Sequence, residues 1–295
     1  MAMDPHLLRT FVAVARHGSF SEAARELGYT QSAVSQHIAA LEADLGAVLL
    51  LRRPVGPTPV GVRLLEHAGP LLLRLDAARA DIARLTGAPT TRLTVGLTPL
   101  ALTARLARAL ADLRRRHPGL EPTVRVLGRE AVPREVATGG VDLGLVDGMT
   151  APNDPLHLGD VGPLSATAVA EQPLAVLLPD PHPLAGRPGL RLSDLSDARW
   201  IDAPDTAIPL RQLRAAGGAD GYRPSLRYQG TDLRGLAALV AAGHGLALLP
   251  RPLADTLADV SPVPLSVPRL THRTEALHTP TANPLPALLT AALTD

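Results

Sequence analysis

GYTQSAVSQHIAALEADL, residues Gly28–Leu45, carries the pattern from which the rest of the chain can be read. Thr30 is a natural helix N-cap, and apolar residues follow at Ala33, Val34, Ile38, Leu41 and Leu45, the spacing of one helical face. The opposite face then presents Gln31, Ser32, Ser35, Gln36 and His37. Such neutral hydrogen-bonding side chains suit the base edges of a DNA major groove. Any surface helix has a polar face, so the flanking sequence must separate a solvated face from a reading one.

Two shorter helices precede this stretch. Asp4-Pro5 is a cap with proline at the first helical position, and Leu7, Leu8, Phe11, Val14 and Ala15 form an apolar stripe up to His17-Gly18. Ser19-Phe20-Ser21-Glu22 has the spacing of a capping box and opens a second helix through Leu27. Gly28 ends it, and only Tyr29 stands before Thr30. Two helices joined by a tight glycine-containing turn make a helix-turn-helix, whose second helix lies in the major groove.

From Leu7 to Arg53 the chain resembles the DNA-binding domain of LysR-type transcriptional regulators. The matching positions include Gly18-Ser19-Phe20, Ala23-Ala24, Gln31-Ser32-Ala33-Val34-Ser35, Leu41-Glu42 and Leu45-Gly46. The resemblance implies a winged helix-turn-helix over residues 1–58. In it Gln31, Ser32, Ser35 and Gln36 would face bases, with Thr30 and His37 near phosphate or the groove edge. Phe11, Ala24, Leu27, Val34, Ile38 and Leu41 would form its core. The wing would run from Val48 to Pro57, with a first strand at Val48–Leu51. Arg52 and Arg53 follow, and their guanidinium forks suit phosphates or a narrow minor groove. Leu50 replaces the usual Phe, and Val55 and Pro57 stand where a basic residue and a Leu are common, so the tip offers fewer cations.

Thr58-Pro59 is again a cap followed by proline. Apolar residues recur at Val62, Leu65, Leu72, Leu75, Ile82 and Leu85, widened by Leu64, Ala68 and Leu71. A helix from Pro59 to about Leu85 would be about 40 Å long at 1.5 Å per residue. One such helix does not bury that face alone. An antiparallel copy from a second subunit would cover it, as would the chain's own C-terminal portion. The resemblance favours the first, a linker and dimerisation helix over residues 59–90. Gly69-Pro70 predicts a kink or a break, and Thr86–Thr90 a linker.

From Arg92 strands and helices alternate. Leu93–Leu97, Val124–Leu127, Val141–Val146, Leu174–Leu178, Trp200-Ile201, Leu246–Leu249 and Val263–Val267 read as strands. Leu100–His117, Val132–Thr138, Leu233–Ala242 and Pro286–Leu293 read as helices. That order predicts parallel crossovers in an α/β fold. The portion over residues 91–295 resembles the effector-binding domain of the same regulators, two α/β subdomains of periplasmic-binding-protein type. Subdomain I would be about 91–161 and 265–295, and subdomain II about 162–264. Ligands bind beyond the carboxyl ends of strands in such sheets. This selects Thr98, Pro99, Leu100 and Ala101 after the first strand, and Thr231-Asp232 across the cleft. Asp147 and the pair Asp202-Ala203 complete the rim. Thr98 and Thr231 also read as helix caps, which is compatible with ligand contact. Two rim carboxylates disfavour a multiply anionic effector and suit a neutral, amine-bearing or singly charged metabolite.

The bulk properties bound the remaining choices. The 295 residues should hold two or three compact units, and the 46% apolar content is ample for cores. All 29 basic residues are Arg, and net charge is only +1. Residues 1–63 hold Arg9, Arg16, Arg25, Arg52, Arg53 and Arg63 against Asp4, Glu22, Glu26, Glu42 and Asp44, so a DNA reading rests on geometry rather than charge. No Cys is present, which removes disulfides, thiolate metal sites and a Cys nucleophile. A basic leader with an apolar core is missing, and no apolar run approaches the ~18 residues of a membrane span, so a cytoplasmic chain without membrane contact is expected. G-x-S-x-G, Walker, G-x-G-x-x-G and H-E-x-x-H patterns are missing too. The expectation is therefore a non-enzymatic, effector-controlled transcriptional regulator with no metal and no cofactor. A solute-binding protein or an α/β enzyme with an incidental N-terminal domain is the rival. The resemblance implies double-stranded DNA, a small-molecule effector and a second copy of the chain as partners, in a homodimer or homotetramer that can contact two sites. It also makes RNA polymerase a candidate partner.

Overall fold

The computed structural model describes residues 3–86, 91–217, 221–280 and 283–294. The expected linker lies outside these from Gly87 to Thr90. Contacts divide the chain into two units. One runs to Arg79 and includes Asp160–Gly162; the other comprises Ala80–Gly159 and the residues from Pro163 on.

The first unit contains α1 (Pro5–His17), α2 (Phe20–Leu27), α3 (Gln31–Leu45), a hairpin of β1 (Leu50–Arg52) and β2 (Val55–Pro57), and most of α4 (Pro59–Thr86). Local chemistry sets the helix starts. Asp4 accepts from His6 N at 2.8 Å, Ser19 from Glu22 N at 3.3 Å and Thr30 from Ala33 N at 3.1 Å. Each helix stops at a glycine in the left-handed region, Gly18, Gly28 and Gly46, where a side chain would be strained. Only half of the capping box forms, because Glu22 pairs with Arg25 instead of reaching back. Phe11, Val14, Val34, Ile38, Leu41, Leu49 and Leu50 are buried together, and Ala68 and Leu72 of α4 join them. Each large side chain so buried contributes roughly 1.5–3 kcal/mol. Leu45, the last residue of the apolar stripe, is exposed one turn beyond the last packed position.

Glu42 ties the hairpin to α3, accepting from Leu49 N at 2.8 Å and Leu50 N at 3.2 Å. The first wing strand consequently begins at Leu50, two residues later than expected, and Val48 is exposed. Thr58 closes the base by donating to Val48 O at 2.8 Å while accepting from Gly61 N at 3.0 Å. The 28 residues of α4 span about 42 Å. The helix is unbroken at Pro70. Proline deprives the Glu66 carbonyl of its partner, but Glu66, Gly69 and Pro70 are exposed, where water serves that group. The apolar pattern of α4 resolves into two faces. Leu65, Ala68 and Leu72 turn inward, while Val60, Leu71, Leu75 and Ile82 are exposed.

The second unit runs β3 (Arg92–Leu97), α5 (Ala104–Arg116), β4 (Glu121–Val126), α6 (Ala131–Ala137), β5 (Leu143–Thr150), β6 (Ser165–Pro179), β7 (Leu190–Arg191), β8 (Arg199–Asp202), α7 (Leu210–Gly217), β9 (Arg223–Arg227), α8 (Leu233–Ala241), β10 (Ala247–Pro250), α9 (Arg251–Ala254), β11 (Val260–Val267), β12 (Thr271–His278) and α10 (Leu285–Thr294). The large sheet has the order β4-β3-β5-β12-β6-β11-β7, with β10 also on β6. Strand β3 is parallel to both β4 and β5, the crossover geometry expected. Strands β12 and β6 continue the sheet antiparallel, which the sequence reading did not include. Gly96 and Gly144 are register partners on β3 and β5. A β-carbon at Gly144 would sit 2.6 Å from Val136 Cγ2, so glycine there lets α6 lie close on the sheet.

Strand β6 is far longer than the expected Leu174–Leu178. Its first half, Ser165–Pro173, pairs with β12; its second half, Leu174–Pro179, pairs with β10 and β11. One strand thus belongs to both α/β subdomains. The helix expected from Leu100 begins instead at Ala104, capped by Thr103. Thr98 introduces a short 3-10 turn at Pro99–Ala101 and makes no cap bond. Among the described residues no helix is long and apolar enough to cross a membrane, and no cluster of His, Asp and Glu is arranged to hold a metal.

Candidate DNA-reading helix and effector cleft

The caps and glycines around α3 leave its first two turns projecting from the core. Gln31, Ser32 and Gln36 are exposed, and Ser35 and His37 are half-buried. Thr30 accepts the Ala33 amide, which leaves its hydroxyl proton available to an outside acceptor such as a phosphate oxygen. His37 is anchored from the protein side. Its Nδ1 lies 3.1 Å from Thr10 Oγ1, and its ring meets the Tyr29 ring edge-on at 5.1 Å. Thr10 is fully buried, and its Oγ1 lies 3.0 Å from His6 O, an oxygen that only accepts. The single hydroxyl proton therefore goes to His6 O, Thr10 accepts from His37 Nδ1–H, and Nε2 is the atom His37 can offer to a partner.

The two wing arginines separate. Arg52 packs over the Phe20 ring at 4.9 Å and lies 3.6 Å from Glu42 Oε2, so its charge is engaged within the protein. Arg53, exposed as Arg52 is, has no ion pair among the described residues.

The second site lies where β3 and β5 end. Asp147 of β5 is enclosed and receives three donors. Thr98 donates to Oδ1, His272 of β12 lies 2.9 Å from Oδ2, and Arg129 Nη1 lies 2.9 Å from the same oxygen. Burial pushes the Asp147 carboxyl up, but the Arg129 charge, His272 and Thr98 outweigh it and hold the group at about 2. An ionised carboxylate only accepts, so His272 donates through Nε2; its buried Nδ1 has no partner.

Arg129, between β4 and α6, reaches beyond Asp147 to the segment between β8 and α7. Nη1 also meets Asp147 O at 2.7 Å, Nη2 meets Ala207 O at 3.1 Å, and Nε meets Pro204 O at 3.3 Å. Its own amide donates to Asp205 Oδ1 at 2.9 Å. Glu130 next to it pairs with Arg211 at 2.8 Å. The two sides of the cleft are therefore joined by the chain itself.

Of the rim residues selected from sequence, Thr98 and Asp147 come together. Pro99, Leu100 and Ala101 are buried, and Leu100 shares an apolar cluster with Ala203 and Ala207. Asp202 turns to Arg227 at 3.6 Å. Thr231 is exposed, and Asp232 caps α8 by accepting from Arg234 N at 2.9 Å and Gly235 N at 3.1 Å. Sequence reasoning missed Arg129 and His272. Gly128-Arg129 follows a parallel strand, so the strand-end rule that selected Thr98 would have selected it too. His272 lies on a strand that carries no such signal.

Residues 5–62 match the family described as bacterial regulatory helix-turn-helix protein, lysR family, and residues 86–294 match the LysR substrate binding domain. The small neutral protease regulatory protein of Streptomyces coelicolor is 34% identical over 256 residues, covering 83% of this chain and 72% of that protein. The transcriptional regulator CysL of Bacillus subtilis is 28% identical over 247 residues, covering 83% and 80%. The crystal structure of full-length BenM is 26% identical with a TM-score of 0.54, covering 99% of this chain and 95% of that one.

Proposed function

The chain belongs to the LysR family of DNA-binding transcriptional regulators with an effector-binding domain, and from that membership we propose a division of labour along it. Residues 1–58 read DNA, residues 59–90 join two copies, and residues 91–295 bind a small-molecule effector. The observation that carries the DNA half is the N-terminal face of α3. Gln31, Ser32, Ser35 and Gln36 are unengaged by other side chains among the described residues and stand beside a phosphate-ready Thr30 hydroxyl. Gln reads adenine, and Ser either donors or acceptors, in the major groove. Thr30, His37 and Arg53 supply flanking contacts, and Arg52 holds the wing.

Exposed Leu71, Leu75 and Ile82 recur at four- and seven-residue spacing on α4, the seam that a second helix covers. A homodimer, or a tetramer built from two, would place two copies of α3 in successive major grooves. The effector occupies the cleft floored by Thr98 and Asp147, with Pro99–Ala101, Ala203 and the Asp202 and Thr231-Asp232 loops around it. Work on DNA places the protein in the cytoplasm, with RNA polymerase as the further partner. Selection of bound fragments from a random DNA pool tests the reading. An enriched inverted repeat with half-sites about one helical turn apart is expected. A pool that stays random would refute sequence-specific recognition.

A further inference from the structure

Four oxygens converge on one cation in the cleft: Asp147 Oδ2 at 2.9 Å, Asp147 O at 2.7 Å, Ala207 O at 3.1 Å and Pro204 O at 3.3 Å. All are acceptors, they come from both sides of the cleft, and the cation is Arg129 itself. We propose that this is a guanidinium-binding cradle occupied by the protein's own side chain, and that the effector is a small cation bearing a guanidinium or primary ammonium group that takes the place of Arg129. The proposal rests on the reading of the cleft as the effector site and adds the ligand's chemical class.

The movable partner is identified by what holds each side. Asp147 sits within β5, which is paired to β12 at that position, and His272 of β12 and Thr98 after β3 hold its carboxylate. Arg129 stands in the connection between β4 and α6, on a long unbranched side chain. Rotating that side chain out leaves the cradle standing, with its carboxylate and three carbonyl oxygens all demanding N–H donors. A cation with such donors restores every bond and keeps the buried charge balanced. An anion would lie against Asp147 and the same carbonyls, with two negative charges in one enclosed space. It would also find the Arg129 donors already engaged. The geometry therefore selects cations and rejects carboxylates and phosphates.

The test uses the full chain, as wild type and as Arg129→Ala, titrated calorimetrically with methylguanidine, ethylamine, acetate and malonate. Removing the internal competitor should tighten methylguanidine binding about tenfold or more relative to wild type, because the free cradle is then fully populated. Ethylamine should gain less, having one polar head to place among four oxygens, and the two anions should not bind. Should Arg129→Ala fail to fold alone, its refolding is followed with and without methylguanidine: recovery of the folded state supports the cradle and no recovery overturns it. Equal methylguanidine affinity in wild type and variant, or a preference for acetate or malonate, overturns the cradle. Footprints of the wild-type DNA complex with and without methylguanidine or its amino-bearing analogue agmatine separate the two layers. A changed footprint supports the effector assignment. Cation binding to the variant with an unchanged wild-type footprint under saturating agmatine overturns it.

Discussion

Arg129 and Asp147 form a buried ion pair that spans 18 residues of sequence, with Nη1 2.9 Å from Oδ2 and side-chain exposures of 7% and 0%. Breaking such a pair from one side leaves a charge stranded in the interior. Asp147→Asn should therefore destabilise the protein by about 3–5 kcal/mol at neutral pH, read from urea unfolding. A change below about 1 kcal/mol would show that Arg129 is solvated as the protein stands.

The same pair predicts a pH dependence. The Asp147 carboxyl titrates at about 2 in the folded protein, below its ordinary 3.8. A lowered folded value means stability that is complete above the unfolded value and is lost as pH falls from about 4 through about 2. The difference corresponds to about 2 kcal/mol. Unfolding free energies measured across this window should fall for the wild type and fall less for Asp147→Asn.

Base reading by α3 is tested at Gln31. Gln31→Ala should cost about 1–3 kcal/mol on a specific site and relax the preference at one base pair, while binding to random DNA hardly changes. Equal weakening on both DNAs would assign Gln31 to backbone contact instead.

The wing arginines should part company in two different assays. Arg53→Ala should lower the salt dependence of DNA affinity by about one unit of slope, as expected for one lost phosphate contact. Arg52→Ala should instead lower thermal stability, since Phe20 and Glu42 lose a packed neighbour. Identical effects of the two substitutions on the salt slope would contradict this separation.

Dimerisation through α4 is checked by sedimentation. Leu71→Arg with Leu75→Arg should dissociate the protein to monomers and leave the fold of the first unit intact, because both side chains point away from its core. Dimers that persist would move the seam elsewhere.

The N-terminal unit was legible because its signals are local. Asp4, Ser19 and Thr30 announce helix starts, and Gly18, Gly28 and Gly46 announce ends, each within a few residues of what it governs. The cleft was half legible for the opposite reason. Thr98 and Asp147 follow apolar runs of sequence, but their partner His272 lies 125 residues beyond Asp147, on a strand whose pattern is masked by charge. Glu275 of that strand is buried and neutralised by Arg273 at 2.7 Å, so it reads as solvent-facing until the pairing is known. The first half of β6 was invisible likewise, since among Ser, Thr, Ala, Glu, Gln and Pro it holds one larger apolar residue, Val169. Thr98 itself was misread as the cap of a long helix because Thr103, five residues on, is an equally good cap and sits where the helix begins.

Strand β6 has a mechanical meaning. Its fifteen residues hold β12 with one end and β10 and β11 with the other, so both walls of the cleft hang on one continuous backbone. A β-strand resists stretching far more than it resists twisting. The chain crosses the same junction again from β11 to β12, beside β6, so the angle between the walls changes most easily as torsion about this pair of crossings. A movement of one wall against the other is then a rotation, and its axis is already drawn in the sheet.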